Sequence, residues 1–411
     1  MFAIRARNAF DGDRFVAGGV TVIIEGSTIA GIEPASYALP ADCPVTDHGE
    51  ATVLPGLIDT HVHLVGDSRP MALERVAAYS DGELDAVVTE ALERHRASGV
   101  TTVRDLGDRR FNVVDRRDAQ RAHDDGLPQI VASGPPITSP GGHCGFLGGE
   151  VASPTEIADA VRERVERGVD VVKVMASGGM NTPGTDVSAP QFTLADLRLL
   201  VAESHRVGLP VTAHSHAAAG VDQAVEAGVD GIEHASYVVA GGHAGIAALV
   251  NVSASDQQLE ALATSGIPVC PTLGGFTPEV LRNAPPHIKD MLAAAGVTPE
   301  QIVETRMTLF GRMRRAGVRF VSGTDAGIAP SKAHGLFANA IVELATVMTV
   351  PEVLATATRG AAEVCGLGRS KGRLRTGYDA DVVVVEGDLS EDVTALRRVR
   401  QVVVRGAVST G

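Results

Sequence analysis

The chain has 411 residues, 44% of them hydrophobic, and 50 acidic against 36 basic side chains give a formal charge of −14. That apolar content excludes an intrinsically disordered chain, and the acidic balance argues against a nucleic-acid-binding surface. The length fits two or three domains, or one large α/β barrel with an appendage. Cys43, Cys144, Cys270 and Cys365 are far apart and form no CxxC pair, so reduced thiols in a cytosol are expected rather than a disulfide framework. The start "MFAIRARNAFDGDRF" has no long apolar run behind a basic start, and no stretch reaches the roughly 18 apolar residues of a membrane span. A cytoplasmic protein without a membrane partner is expected.

In chain order, the first fifty residues read as short strands and turns: "FAIRARNAF", "DGD", "GVTVIIEGSTIAGIEP". Near the other end "GYDADVVVVEGD" and "RRVRQVVVRGAV" have the same character. This predicts a β-sandwich subdomain made from both termini, residues 1–54 and 368–411, around a body over 55–367. Within that body, eight candidate strands alternate with helical patterns: "GLIDTHVH", "VTTVRDL", "QIVASG", "VVKVMAS", "PVTAHSH", "GIEHAS", "PVCPTL" and "RFVSGTDA". In "TLADLRLLVAESHRVG", Thr193 is the expected N-cap and Leu194, Leu197, Leu200 and Val201 share a helical face. "ELDAVVTEALERHRASG" and "SPTEIADAVRERVERG" read as further helices. Eight β-α alternations predict a (β/α)8 TIM barrel. A doubly wound open sheet lacks its Gly-rich phosphate fingerprint here. The irregular segment 251–304 is either a cover for the site or a helical decoration.

Catalytic groups of such barrels lie at the C-terminal ends of strands. There the sequence puts His61 and His63, Lys173, His214, His234 and Asp325. Strand alternation points His61 and His63 to the same side. Packing does not explain so many buried polar groups at equivalent ends, since each would need a partner; metal ligation does. Lys173 stands out, because an ammonium beside metal cations would be repelled. A neutral Lys173 that adds carbon dioxide becomes a carbamate, an anion whose two oxygens can bridge two metals. Two cations sharing a water would supply hydroxide near neutral pH, with Asp325 taking its proton and passing it to a leaving nitrogen. Zinc leads among the possible ions; manganese, iron and cobalt remain open on ligand type.

The motifs "GLIDTHVH", "VKVMASGG", "VTAHSHAAAG", "GIEHASY" and "SGTDAG", in this order, resemble the metal-dependent amidohydrolase superfamily, most closely its prolidase-like and imidazolonepropionase-like branch. The resemblance implies a binuclear, usually zinc, centre: His61, His63 and Asp325 for the more buried ion, His214 and His234 for the outer one, carboxylated Lys173 between them. Tyr237, three residues after His234, is similar to the branch's tyrosine that hydrogen-bonds the developing oxyanion. His143 in "SPGGHCGF" resembles the residue that meets a substrate carboxylate. His216 is either a support for the ligands or substrate-facing. Arg104 and Asp105 form an internal ion pair or bind substrate. Cys144 beside His143 suggests a Cys–His pair, though adjacent residues rarely orient that way. The family often forms symmetric assemblies, so a homo-oligomer is an open expectation.

These readings imply hydrolysis of an amide or peptide C–N bond in a small carboxylate-bearing molecule: an Xaa-Pro or other dipeptide, or an N-acyl amino acid. Hydrolysis of a cyclic amide, carbamate or lactone is the alternative. Deamination is disfavoured, because deaminases of the superfamily lack the strand-four lysine and carry an acid near the strand-five histidine, where "AHSHAAAG" has none. A ligand-free scaffold is disfavoured because every expected ligand is present.

Overall fold

A computed structural model describes residues 1–180, 182–243 and 245–410, with the side chains of 287 and 410 left out. It has a mixed α/β architecture. Two sheets use the chain ends. Phe2–Ala6 runs antiparallel to Val20–Glu25 and parallel to Val45–Asp47 in a four-stranded sheet completed by Thr28–Pro34. In a six-stranded sheet Val382–Val385 pairs antiparallel with both Thr52–Pro55 and Val399–Val404, so the two ends of the chain are hydrogen-bonded to each other.

The run Val382–Val385 shows why both faces of that sheet are apolar. Val382 and Val384 join Ile4, Val22, Ile24 and Val53 in one hydrophobic cluster. Val383 and Val385 point the other way, into the main core with Leu54, Leu57 and Val100. One strand thus serves two cores.

The main body carries seven parallel strands, here β1 (Leu57–Val62), β2 (Val100–Asp105), β3 (Gln129–Ala132), β4 (Val172–Met175), β5 (Val211–Ala217), β6 (Gly231–Val238) and β7 (Val269–Cys270). They form two ladders, β3-β2-β1 and β4-β5-β6-β7. Single parallel bridges link Ile137 to Val174, Val269 to Phe320 and Val62 to Ala326. Every residue of β4 to β6 is buried, as expected of parallel strands covered on both faces. The flanking helices include Asp81–Ala97, Pro154–Glu166 and Leu194–Arg206. Thr193 caps the last as its sequence predicts, accepting from the Asp196 N–H, while Leu197, Leu200 and Val201 are buried.

One sequence expectation needs correction. "RFVSGTDA" forms no strand; Phe320 and Ala326 make isolated bridges only. Its backbone donors go to different partners: Val321 N–H to the Val269 carbonyl, Ser322 N–H to Thr356, Thr324 N–H to the Asp59 carboxylate and Asp325 N–H to His61. With donors dispersed in this way no regular ladder can form. The segment 251–304 holds helices Asp256–Ser265, Pro278–Arg282 and Pro286–Ala295 and the start of Pro299–Ala316. No described helix is long and apolar enough to cross a membrane.

Candidate metal centre

The predicted ligands meet at one small cavity of about 70 Å³, lined by His61, His63, Lys173, His214, His234 and Asp325 among others. All six are buried. β1 delivers His61 and His63; Asp325 arrives from the irregular segment after Phe320. His234, Thr272 and Asp325 all have left-handed backbone, at φ 71°, 47° and 62°. For non-glycine residues such conformations cost on the order of 1–3 kcal/mol each and gather at functional sites.

Hydrogen bonds fix which ring nitrogens face the cavity. His63 Nδ1 lies 3.1 Å from the Gly107 carbonyl, which only accepts, so Nδ1 carries the proton. His61 Nδ1 lies 2.8 Å from Glu233 Oε2, while the other oxygen of that carboxylate, Oε1, accepts from the Arg104 guanidinium at 3.0 Å and the Thr212 hydroxyl at 2.6 Å. The Nε2 atoms of His61 and His63 therefore face Asp325 Oδ1 from 3.3 and 3.2 Å. In a neutral ring Nε2 offers a lone pair. With both rings neutral, a cation among them would be held by two nitrogens and a carboxylate oxygen, a place that a proton on His63 Nε2 fills when no cation is bound. His61, His63 and Asp325 form one group able to hold a metal ion, and His214, His216 and His234 another. His214 Nε2 donates to the Gly178 carbonyl at 3.2 Å, which leaves its Nδ1 free as a ligand atom.

The electrostatics agree. Burial, and after it the charge of Lys173, lowers the pKa of His61 to about 4, while His214 and His234 fall well below the ordinary histidine value, chiefly through burial. These rings are neutral, as metal ligands must be. Burial works against charge on His63 too, but the hydrogen bond and charge of Asp325 outweigh it and raise its pKa. Burial alone would raise Asp325; Lys332 and His61 outweigh it and hold its carboxyl well below the usual range. Lys173 Nζ is buried with no hydrogen-bond partner, and burial lowers its pKa. A buried, unpartnered amine driven towards neutrality fits addition of carbon dioxide. The donor set therefore fits metal ions.

Other predicted residues fall differently. His143 lines the cavity, its ring centroid 4.6 Å from that of His214 and its Nδ1 2.8 Å from the Thr182 hydroxyl. Cys144 Sγ does approach His143 Nε2, at 3.6 Å, against the sequence expectation for neighbours. Burial, however, pushes the thiol up to about 12, so no nucleophilic thiolate is present. His216 stacks on His234 at 4.3 Å and bonds the Ser236 hydroxyl at 2.9 Å. Arg104 does not pair with Asp105. Strand alternation sends the two apart, so Arg104 reaches Glu233 while Asp105 accepts from the Leu64 and Gly107 amides. Tyr237 is buried outside the cavity lining, and its hydroxyl has no partner among the described residues.

Three residues escaped the sequence reading: Glu233, Arg306 and Lys332. Lys332 Nζ donates to Asp325 Oδ2 at 3.1 Å and to the Thr324 and Thr272 carbonyls. A charged residue inside a buried strand needs a buried partner, and that signal was available for Glu233 in "GIEHAS".

Strand-end histidines around a buried acid and an unpartnered lysine define a metal-type hydrolytic site on an α/β scaffold. The model of the amidohydrolase family matches residues 52–408. Among curated relatives, the ochratoxinase of Aspergillus niger is 26% identical over 388 residues, covering 86% of this chain and 74% of its own. The imidazolonepropionase of Polaromonas sp. is 27% identical over 382 residues, covering 85% and 79%. A solved Xaa-Pro dipeptidase with methionine bound in its active site superposes with TM-score 0.84 at 25% identity over 100% of both chains. The chain belongs to the amidohydrolase family, and it is an enzyme: a hydrolase acting on carbon–nitrogen bonds.

Proposed function

We propose that the chain is a binuclear metal-dependent amidohydrolase that cleaves the amide or peptide bond of a small carboxylate-bearing molecule, such as a dipeptide or an N-acyl amino acid. The observation that carries this reading is the convergence of the Nε2 atoms of His61 and His63 on Asp325 Oδ1, beside the unpartnered Lys173. In this proposal His61, His63 and Asp325 hold one ion, His214 and His234 the other, and carboxylated Lys173 bridges; zinc is the preferred metal. When bound, the ions lower the pKa of water and polarise a carbonyl.

The chain's own groups do the rest. Asp325 takes the proton of the attacking water at Oδ1 and returns it to the leaving nitrogen, while Lys332 steadies its Oδ2. Glu233 keeps the His61 ring turned so that Nε2 faces inward. Tyr237, whose buried hydroxyl has no partner among the described residues, would hydrogen-bond the developing oxyanion. The same reading takes the seven parallel strands and residues 319–326 as a (β/α)8 barrel over 55–367, a closure supported by the three single bridges. Residues 1–54 and 368–411 would be its discontinuous β-sandwich, supported by their shared cluster.

The test is hydrolysis of a panel of dipeptides and N-acyl amino acids, read as freed amino acid, by protein prepared with zinc and bicarbonate. Release that disappears in Asp325→Asn is expected. No release from protein carrying two ions would overturn the carboxylate-bearing substrate and direct attention to cyclic amides, carbamates and lactones.

A further inference from the structure

Next to the metal-type cavity lies a second one of about 360 Å³, walled by Met71, Phe276, Leu281, Pro285, Ile288 and Met291. The two share Glu74, Met180, Phe276, Ile328 and Lys332, so they are adjoining chambers. The largest single contribution to its wall comes from residues 276–291. That segment packs on the 3-10 turn Gly245–Val250 through a cluster separate from the main core, with Leu281, Leu292 and Ile246 in it. The volume lies within the ~300–1,000 Å³ of small-molecule sites, and the lining is mostly apolar.

A cation stands in the inner chamber. Arg306, from helix Pro299–Ala316, is 4% exposed and lines the metal-type cavity. Its Nη2 donates to the Pro271 carbonyl at 3.0 Å, but Nε and Nη1 have no hydrogen-bond partner. Glu343 forms a buried ion pair with Arg306, but at 3.8 Å between Nη1 and Oε1 the two are too far apart to hydrogen-bond, and Oε1 is also unpartnered. Buried guanidinium donors are costly to leave unpaired, and a carboxylate is their natural bidentate partner. The other charged groups do not compete for this role. Lys332 is occupied by Asp325 and two carbonyls. His143, the sequence-based candidate, already bonds Thr182 and carries no charge when neutral.

Resting on the amide-hydrolase reading above, we propose that the substrate is an N-acyl amino acid with a bulky apolar acyl group, its carboxylate anchored on Arg306 and its acyl chain in the chamber walled by residues 276–291. The scissile amide then lies between the two subsites, at the histidines. Arg306 and the outer wall set specificity.

The test is calorimetric binding to metal-loaded Asp325→Asn protein, so that affinity is read apart from turnover. The ligands are N-octanoyl-L-leucine, N-acetyl-L-leucine and N-octanoyl-L-leucinamide. The octanoyl acid is expected to bind at least tenfold more tightly than either other ligand. Adding Arg306→Met removes the preference for acid over amide and keeps that for octanoyl over acetyl; Met291→Glu does the reverse. Should Arg306→Met fail to fold, Arg306→Lys serves, with the acid preference reduced severalfold. Acid preference undiminished in the Arg306 variants, or no chain-length preference in the parent, overturns the proposal. The expected binding pattern without hydrolysis by the wild-type enzyme would leave the subsites standing and sink the amide-hydrolase reading instead.

Discussion

Glu233 and His61 are joined at 2.8 Å between Oε2 and Nδ1, deep under the cavity. Burial opposes charge on Glu233, yet Arg104 and His61 outweigh it and hold the carboxyl far below its ordinary range. The carboxylate thus stays ionised and keeps the proton on His61 Nδ1. Glu233→Gln is expected to weaken metal binding by roughly 10–100-fold, the usual effect of losing such a partner. It also removes the Arg104 counter-charge, at a stability cost of about 3–5 kcal/mol. Chelator competition and denaturant unfolding read the two effects, and unchanged metal affinity would contradict the role.

Gly179 lets His143 approach. A Cβ there would lie 2.3 Å from His143 Cε1 and Nε2, with no room for both. Gly179→Ala should therefore displace the imidazole, lowering kcat/KM at least tenfold with Tm changed by only a few degrees. Kinetics equal to wild type would mean that His143 has no part in the site.

His334 supplies a pH prediction. Its Nε2 donates to the Gly66 carbonyl, and its Nδ1 lies 3.0 Å from His95 Nε2. Burial, opposed by Gly66, lowers its pKa from 6.5 to about 4. The folded state thus binds fewer protons than the unfolded between these values. Its stability contribution is complete above pH 6.5 and is lost as pH falls towards 4, at up to about 1.4 kcal/mol per pH unit. Metal-free wild type should lose Tm through this window more steeply than His334→Gln. Parallel curves would refute the assignment.

Cys144 is buried, with its thiol pushed up to about 12. Iodoacetamide at pH 8 should leave it unmodified in the native protein, and Cys365, half-buried but with its thiol also pushed up by burial to about 11, should react only slowly. Mass spectrometry of the digested protein decides, and native alkylation of Cys144 would contradict the environment described.

Much of the site was legible because strand ends and alternation constrain it. His61 and His63 two residues apart had to share a face, and Thr193 before an apolar periodicity had to cap a helix. Long-range partners were not legible. Arg104 next to Asp105 suggested a local pair, yet the bond that forms crosses from β2 to Glu233 on β6. Arg306 lies on helix Pro299–Ala316, on the face of the buried Ile302, Leu309 and Phe310, so helical periodicity could have marked it as buried, whereas Lys332 lies in a short 3-10 turn where periodicity says nothing of direction. The irregular course of residues 319–326 follows from donors taken by β1, β7, Asp59 and Thr356, none visible locally.

The central claim is two ions held across a carboxylated Lys173, and metal analysis joined to carbon-13 NMR tests it most directly. Protein prepared with zinc and labelled bicarbonate should hold two ions per chain and show a carbamate carbonyl signal. Lys173→Ala should lose the signal and at least one ion. Two ions retained in Lys173→Ala, or two ions in the wild type without the signal, would contradict the account.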